Sequence, residues 1–287
     1  MKEILLAENS GFCFGVKQAM EKTEKEIEKK QRNETAGALY TWGPLIHNQT
    51  VTDALRAQGV RIAENLDEVT AEDTLIVRSH GEARAFFEEA DRRGIHVVDA
   101  TCPFVKKIHD LVEEAYGKGY RIIILGDAQH PEVRGINGWC ENSALVVPTA
   151  EAAREIKEDK LFVVCQTTIR RELLDEVSAV LRSEGKQAEI HNTICGATTL
   201  RQNSCMKLAK ICDCFIVIGG KNSSNTQKLA EIAKKTCKKV YFVEKIEDLP
   251  LHKIAKYNKI GVAAGASTPE CVIKEVIATM SEKKEMS

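Results

Sequence analysis

Short runs of Val, Ile and Leu alternate with longer amphipathic stretches along the whole chain. The runs at 4–6, 75–77, 96–98, 121–125, 145–147, 161–164, 189–191, 215–218, 240–243 and 260–263 predict strands. Amphipathic stretches at 16–30, 83–93, 105–118, 171–183 and 226–235 predict helices, with Gly94, Gly119 and Gly185 placed as their C-terminal stops. The strand runs show no strict polar alternation, so the sheets are expected to be covered on both faces. Strand–helix order then predicts parallel sheets with right-handed crossovers. In such folds the ligand meets the loops that leave the carboxyl ends of the strands.

Those loops repeat. Cys13, Cys102 and Cys195 recur about every 90 residues, each after a strand run and before a helical stretch. Each is followed by two more strand-ending polar loops. The first set holds His47-Asn48, His130-Pro131-Glu132 and Asn222-Ser223-Ser224-Asn225. The second holds Ser79-His80, Gln166-Thr167-Thr168 and Ala266-Ser267-Thr268. The period predicts three α/β units, each aiming one thiol and two polar loops at a common centre. Their expected limits are 14–98, 99–192 and 193–281, with an N-terminal strand at 1–13 leading to the first cysteine and a frayed tail at 282–287. Units this small bury too little surface to stand alone and should share a core.

Composition narrows the partners. A net charge of −1 gives no electrostatic case for nucleic acid or an anionic membrane. No stretch approaches the roughly 20 apolar residues of a membrane span, and the N-terminus lacks a secretory signal, so a cytoplasmic location is expected. Ten cysteines in a reducing compartment serve metals, catalysis or packing rather than disulfides. Cys165 and Cys214 fall in strand runs, and Cys205, Cys237 and Cys271 in helical patterns, where packing is the simpler reading. Cys212-x-Cys214 has no second pair nearby and reads the same way. His109 and His191 carry no motif and read as ordinary surface or strand residues. Trp42 and Trp139 read as packing residues, and Phe12 and Phe14 as shields around Cys13.

Three thiols at one centre leave one over in any disulfide scheme, and suit a metal. A zinc ion would take His130 or His80 as its fourth ligand. A [4Fe–4S] cluster with three cysteines would keep one iron open for substrate. Ser223, Ser224, Asn225 and Ser267, with His47 and His80, offer hydroxyl, amide and imidazole donors at the start of a helical stretch. That is a phosphate or diphosphate cradle built without a P-loop, although capping explains one such residue equally well. His130-Pro131-Glu132 is an acid–base candidate, with Thr167 able to relay or orient a proton. The bland alternative makes Glu132 a first-turn residue behind Pro131.

Taken together, Gly11-Phe12-Cys13-Phe14-Gly15-Val16, Asp99-Ala100-Thr101-Cys102-Pro103, His130-Pro131-Glu132-Val133, Gln166-Thr167-Thr168, Ile194-Cys195 with Ala197-Thr198-Thr199 and Arg201-Gln202, Lys221-Asn222-Ser223-Ser224-Asn225, and Ala264-Gly265-Ala266-Ser267 resemble the LytB family of 4-hydroxy-3-methylbut-2-enyl diphosphate reductases. The resemblance runs in order from the first strand to about residue 278. It implies a trefoil of three α/β domains around a central [4Fe–4S] cluster held by Cys13, Cys102 and Cys195, with one iron open. It implies reductive dehydroxylation of the allylic diphosphate to isopentenyl and dimethylallyl diphosphate, the last step of the methylerythritol phosphate route. It further implies diphosphate binding by His47, His80, His130, Thr198, Ser223, Ser224, Asn225 and Ser267, proton delivery by Glu132, contact of Thr167 with the substrate hydroxyl, and a ferredoxin or flavodoxin as electron donor. The segment Gly126-Asp127-Ala128-Gln129 departs from the more basic family form but touches no residue given a role. Two rival readings make different predictions. A hydro-lyase of the aconitase kind would turn over without a reductant, and a zinc module would hold zinc with no iron or sulfide.

Overall fold

The computed structural model describes residues 3–282, so residues 283–287 of the tail expected to fray lie outside it. The chain opens with β1 (Glu3–Leu6) and α1 (Phe14–Gln31). There follow β2 (Leu39–Trp42), α2 (Gln49–Ala57), β3 (Val60–Ala63), β4 (Thr74–Val77), α3 (Arg84–Arg92) and β5 (His96–Asp99). The middle of the chain gives α4 (Pro103–Gly117), β6 (Arg121–Leu125), α5 (Pro131–Asn137), β7 (Leu145–Val147), α6 (Ala150–Ala153), β8 (Lys160–Cys165), α7 (Arg171–Ser183) and β9 (Gln187–Ile190). The last part gives α8 (Gly196–Ala209), β10 (Cys214–Ile218), α9 (Ser224–Thr236), β11 (Val240–Val243), α10 (Leu251–Ile254), β12 (Lys259–Ala264) and α11 (Glu270–Glu282). Gly94, Gly119 and Gly185 all stand at positive φ just past helices, as helix stops do.

The strands form three four-stranded sheets, ordered β3-β2-β4-β5, β7-β6-β8-β9 and β11-β10-β12-β1. Every pairing is parallel. The three sheets share one plan. A first strand sits beside an outer strand on one side and a third strand on the other, and an edge strand leading to a cysteine closes the sheet. At the equivalent position after β2, β6 and β10, a glycine N–H (Gly43, Gly126, Gly219) donates to the end of the outer strand. The plan is shifted against the period read from the sequence. Each cysteine follows the last strand of its sheet instead of opening it. β1 pairs with β12, so Cys13 belongs with the loops of β10 and β12 and not with those of β2 and β4. β2, which the spacing only implied, and β3, which it did not, are both four-residue strands.

The apolar runs alternate between two cores. In β6, Ile123 and Leu125 join one cluster with β8, α6 and α7, while Ile122 and Ile124 join another under α4 and α5. In β10, Ile216 and Ile218 pack toward α11, while Phe215 and Val217 pack under α8 and α9. Sheets buried on both faces need apolar residues at every position, which is why these strands read as unbroken runs. Each fully buried Ile or Leu there is worth about 1.5–3 kcal/mol.

The chain folds as two compact units. One holds the residues up to 16, 46–54 and those from 196 onward, with the β11-β10-β12-β1 sheet. The other holds 17–45 and 55–195, with the other two sheets. Among the described residues no helix is long and apolar enough to cross a membrane.

Candidate active site

The three loop cysteines occupy equivalent places. Cys102 N–H donates to Ser79 O at 3.0 Å, Cys195 N–H to Thr167 O at 3.0 Å, and Cys13 N–H to Ala266 O at 3.1 Å. In each case the acceptor lies in the loop after the adjacent third strand. Each cysteine lies in the loop after its edge strand, three residues past β5, five past β9 and seven past β1, and this bond ties its backbone to the neighbouring loop. All three are partly exposed, while Cys140, Cys165, Cys205, Cys214 and Cys237 are buried. Burial pushes the Cys165 thiol up to about 11 and the Cys205 thiol up to about 12, so these stay protonated in the cores. Accessible thiols in loops tied by these bonds fit a group that binds thiolates, and the buried ones do not. Phe14 is 60% exposed in the protein alone.

In the unit with 55–195, His130 and Glu132 sit at the start of α5. His130 is the N-cap, its Nδ1 accepting from Glu132 N–H at 3.2 Å, with Pro131 at the first helical position. A neutral His130 therefore carries its proton on Nε2 and presents a donor there. Glu132 is both a first-turn residue and a buried one, 3% exposed. Its Oε1 accepts from Thr167 N–H at 2.5 Å and its Oε2 from Thr167 Oγ1 at 2.7 Å. Burial pushes the carboxyl up to about 7, against the two Thr167 bonds, which lower it. A carboxyl that changes charge near neutrality is the property a proton donor needs.

In the sequence, Gln166 stands out only as the first residue of Gln166-Thr167-Thr168. Buried at 2% exposure, it joins the two loops that carry this pair. Its Oε1 accepts from Asp127 N–H at 3.1 Å and its Nε2 donates to Thr168 Oγ1 at 3.0 Å. Gly126 makes that approach possible, since a Cβ there would lie 2.7 Å from Gln166 Oε1 and 2.8 Å from Gln166 Cβ. The segment 126–129 also touches a residue given a role, contrary to expectation: Asp127 O accepts from His130 N–H at 3.0 Å.

The loop after β4 is shaped from below. Gly81 has φ +74°, and a Cβ on it would fall 2.6 Å from His109 Cε1. His109 is no surface residue. It is 2% exposed, stacks on Trp139 at 5.1 Å, and burial drives its imidazole down to about 4, keeping it neutral. Trp139 Nε1 donates to Glu82 O at 3.0 Å and Trp42 Nε1 to Glu82 Oε2 at 2.8 Å, so both tryptophans pack and also anchor this loop. The supported ring of His80 stands edge-on to His130 at 5.4 Å.

In the other unit, the polar run before α9 divides its work. Ser223 is the N-cap, its Oγ accepting from Thr226 N–H at 3.4 Å. Asn225 is 4% exposed, and neither amide atom has a hydrogen-bond partner among the described residues. Leaving such groups unpaired costs about 1–3 kcal/mol each, so capping does not account for the run, and the amide fits a ligand. Thr198 and Ser267 are likewise buried, Ser224 and His47 half-buried. Ser267 Oγ donates to His47 O at 3.2 Å, and Gly220 has no room for a Cβ against the same carbonyl. The loops of β10 and β12 thereby fix the His47 backbone. The structure thus groups His80, His130, Glu132, Thr167, Cys102 and Cys195 in one unit, and His47, Thr198, Ser223, Ser224, Asn225, Ser267 and Cys13 in the other.

The model of the family described as LytB protein matches residues 4–281. A protein of Caldanaerobacter subterraneus subsp. tengcongensis named 4-hydroxy-3-methylbut-2-enyl diphosphate reductase is 44% identical over 285 residues, covering 98% of each chain. One of that name from Clostridioides difficile is 42% identical over 277 residues, covering 96% of this chain and 97% of its own. Among solved structures, the E-1-hydroxy-2-methyl-but-2-enyl-4-diphosphate reductase of Plasmodium falciparum superposes with a TM-score of 0.90 at 28% identity, covering 97% of this chain and 87% of its own. A second, described as the terminal enzyme of the non-mevalonate pathway, gives a TM-score of 0.70 at 38% identity, covering 98% and 100%. A family-model match over residues 4–281, with a relative 44% identical over 98% of both chains, places the chain in the LytB family of 4-hydroxy-3-methylbut-2-enyl diphosphate reductases.

Proposed function

We propose that this enzyme removes the hydroxyl of 4-hydroxy-3-methylbut-2-enyl diphosphate by two-electron reduction, giving isopentenyl and dimethylallyl diphosphate and water. Cys13, Cys102 and Cys195 would hold a [4Fe–4S] cluster with one iron left for substrate, Cys13 supplied by the N-terminal strand that precedes a domain at 14–98, Cys102 by a domain at 99–192 and Cys195 by one at 193–281. When bound, that cluster supplies electrons and a Lewis-acidic site for the leaving oxygen.

The protein's own residues do the rest. His47, His80, His130, Thr198, Ser223, Ser224, Asn225 and Ser267 bind the diphosphate, and the buried Asn225 amide gains the partners it lacks in the protein alone. His130 donates from Nε2, because Nδ1 is engaged by Glu132 N–H. Glu132, protonated near neutrality, turns its bond with Thr167 around. It donates from Oε2 to Thr167 Oγ1, whose own proton then passes to the departing hydroxyl, which leaves as water. Two electrons and two protons balance the reaction: the C–O bond breaks, one proton leaves with the hydroxyl as water, and the second adds to carbon at one or the other end of the allyl system, which gives the two products. The electrons arrive one at a time from a ferredoxin or flavodoxin.

The observation that carries this reading is the shared placement of three thiols, each in the loop that follows an edge strand and bonded through its N–H to the neighbouring loop. The test is an anaerobic assay of the iron-loaded protein with the allylic diphosphate. Turnover is expected with a dithionite-reduced dye and none without it. Reductant-independent hydration would replace this reading with a hydro-lyase.

A further inference from the structure

One pair of side chains clamps the loop after β4. Gly81 N–H donates to Arg78 O at 3.0 Å, which makes 78–81 a turn with Ser79 and His80 as its inner residues. Arg78 opens this turn and Glu82 follows it, and Arg78 Nη2 lies 3.5 Å from Glu82 Oε2. The two side chains are only 16% and 15% exposed, so water competes little for the bond. Glu82 accepts three further hydrogen bonds. Its Oε2 takes Trp42 Nε1 at 2.8 Å from the end of β2, and its Oε1 takes Ala83 N–H at 3.1 Å. Its backbone carbonyl takes Trp139 Nε1 at 3.0 Å from just past α5. Gly43, at φ +63°, leaves the space that the Arg78 guanidinium needs, since a Cβ there would lie 2.9 Å from Nη1. The chemistry proposed above makes no use of Glu82.

The same loop lies against α5, the helix that His130 caps. A Cβ on Gly135 would lie 3.4 Å from Gly81 C and O and from Glu82 N, and one on Gly138 would run into Ala83 Cβ. Bare glycine backbone thus brings the two segments together, and the His80 and His130 rings stand edge-on at 5.4 Å. Side chains on a turn keep their place only as well as the turn does, and a shell of satisfied, sheltered hydrogen bonds is what fixes it. On the reading that His80 binds the diphosphate, on which this inference rests, we propose that Glu82 is a positioning residue that holds the His80 turn in place beside His130. A carboxylate suits the position because both of its oxygens accept. Glutamine offers one acceptor, and its NH2 group would face the Trp42 indole or the Ala83 N–H, which are donors themselves.

The test uses the full chain, reconstituted anaerobically with iron and sulfide, as wild type, Glu82→Ala, Glu82→Gln, His80→Ala and the double variant Glu82→Ala with His80→Ala. Calorimetry gives the affinity for inorganic diphosphate, and the assay with reduced dye gives KM and kcat for the allylic diphosphate per iron-loaded chain. Glu82→Ala is expected to weaken diphosphate binding and raise KM, each roughly tenfold, with kcat within about twofold of wild type. Glu82→Gln should fall between Glu82→Ala and wild type. In the His80→Ala background, Glu82→Ala should change neither value further, since its effect runs through His80. Wild-type affinity in Glu82→Ala overturns the proposal, and so does an undiminished loss on top of His80→Ala, which marks a general loosening of the fold. Should Glu82→Ala not fold, Glu82→Gln alone and in the His80→Ala background decides in the same way. Wild-type affinity in His80→Ala itself removes the underlying reading of His80, whatever Glu82 does, and the proposal falls with it.

Discussion

Glu132 makes the fold itself dependent on pH, and the dependence can be read without substrate or cofactor. Raising its carboxyl from the ordinary 4.5 to about 7 amounts to about 3 kcal/mol of preference for the protonated form in the folded protein. The folded chain then binds a proton that the unfolded chain has released across this interval. Stability from Glu132 is therefore fully present below about 4.5 and is lost progressively as pH rises through about 7. Glu132→Gln keeps an acceptor for Thr167 and removes the titration. Chemical unfolding of the metal-free protein and the variant, followed from pH 4.5 to 8, should show the wild type losing about 3 kcal/mol relative to Glu132→Gln, with most of the change below about 7. Parallel curves would refute a buried, protonated carboxyl. In the loaded enzyme the same variant should bind the diphosphate normally and lose roughly 10²–10⁴-fold in turnover, and the wild-type rate should decline above about pH 7 as the donor loses its proton.

Gly126→Ala places a methyl within 2.8 Å of two Gln166 atoms and should cost roughly 1–3 kcal/mol and slow turnover by displacing the Glu132–Thr167 pair. Gly117→Ala, at the end of α4 with open space around it, should be neutral or stabilising by up to about 1 kcal/mol in the same melts. Asn225→Leu removes two unpaired buried amide atoms, so the metal-free protein should gain about 1 kcal/mol while its affinity for inorganic diphosphate, measured by calorimetry, falls at least tenfold. Gly81→Ala meets both a positive φ and the His109 ring, and should destabilise by roughly 1–3 kcal/mol with a raised KM for the diphosphate.

The apolar runs made the architecture legible because buried parallel strands leave no polar positions to interrupt them, as in Arg121–Leu125 and Cys214–Ile218. Gly94, Gly119 and Gly185 were legible for a different local reason, since the positive φ that ends a helix favours glycine. Sheet membership was not. Nothing in Glu3–Leu6 indicates that this strand pairs with Lys259–Ala264 more than 250 residues later, and so Cys13 was grouped with the wrong loops. His109 looked like a surface residue because its stacking partner Trp139 and its neighbour Gly81 are remote in sequence. In Asn222–Asn225 the capping and ligand-binding readings competed and both describe part of the run, Ser223 the former and Asn225 the latter. Gln166 escaped notice because its role lies in two hydrogen bonds that hold other residues in place.

Iron and acid-labile sulfide per chain are the sharpest check on the proposal that three equivalent loops share one cofactor. The measurement is made on anaerobically reconstituted Cys13→Ser, Cys102→Ser and Cys195→Ser beside Cys237→Ser, whose thiol is buried in a core. The account predicts that each of the first three loses or destabilises the cluster while Cys237→Ser keeps the wild-type content. Equal content in all four, or stoichiometric zinc without sulfide in the wild type, would contradict it.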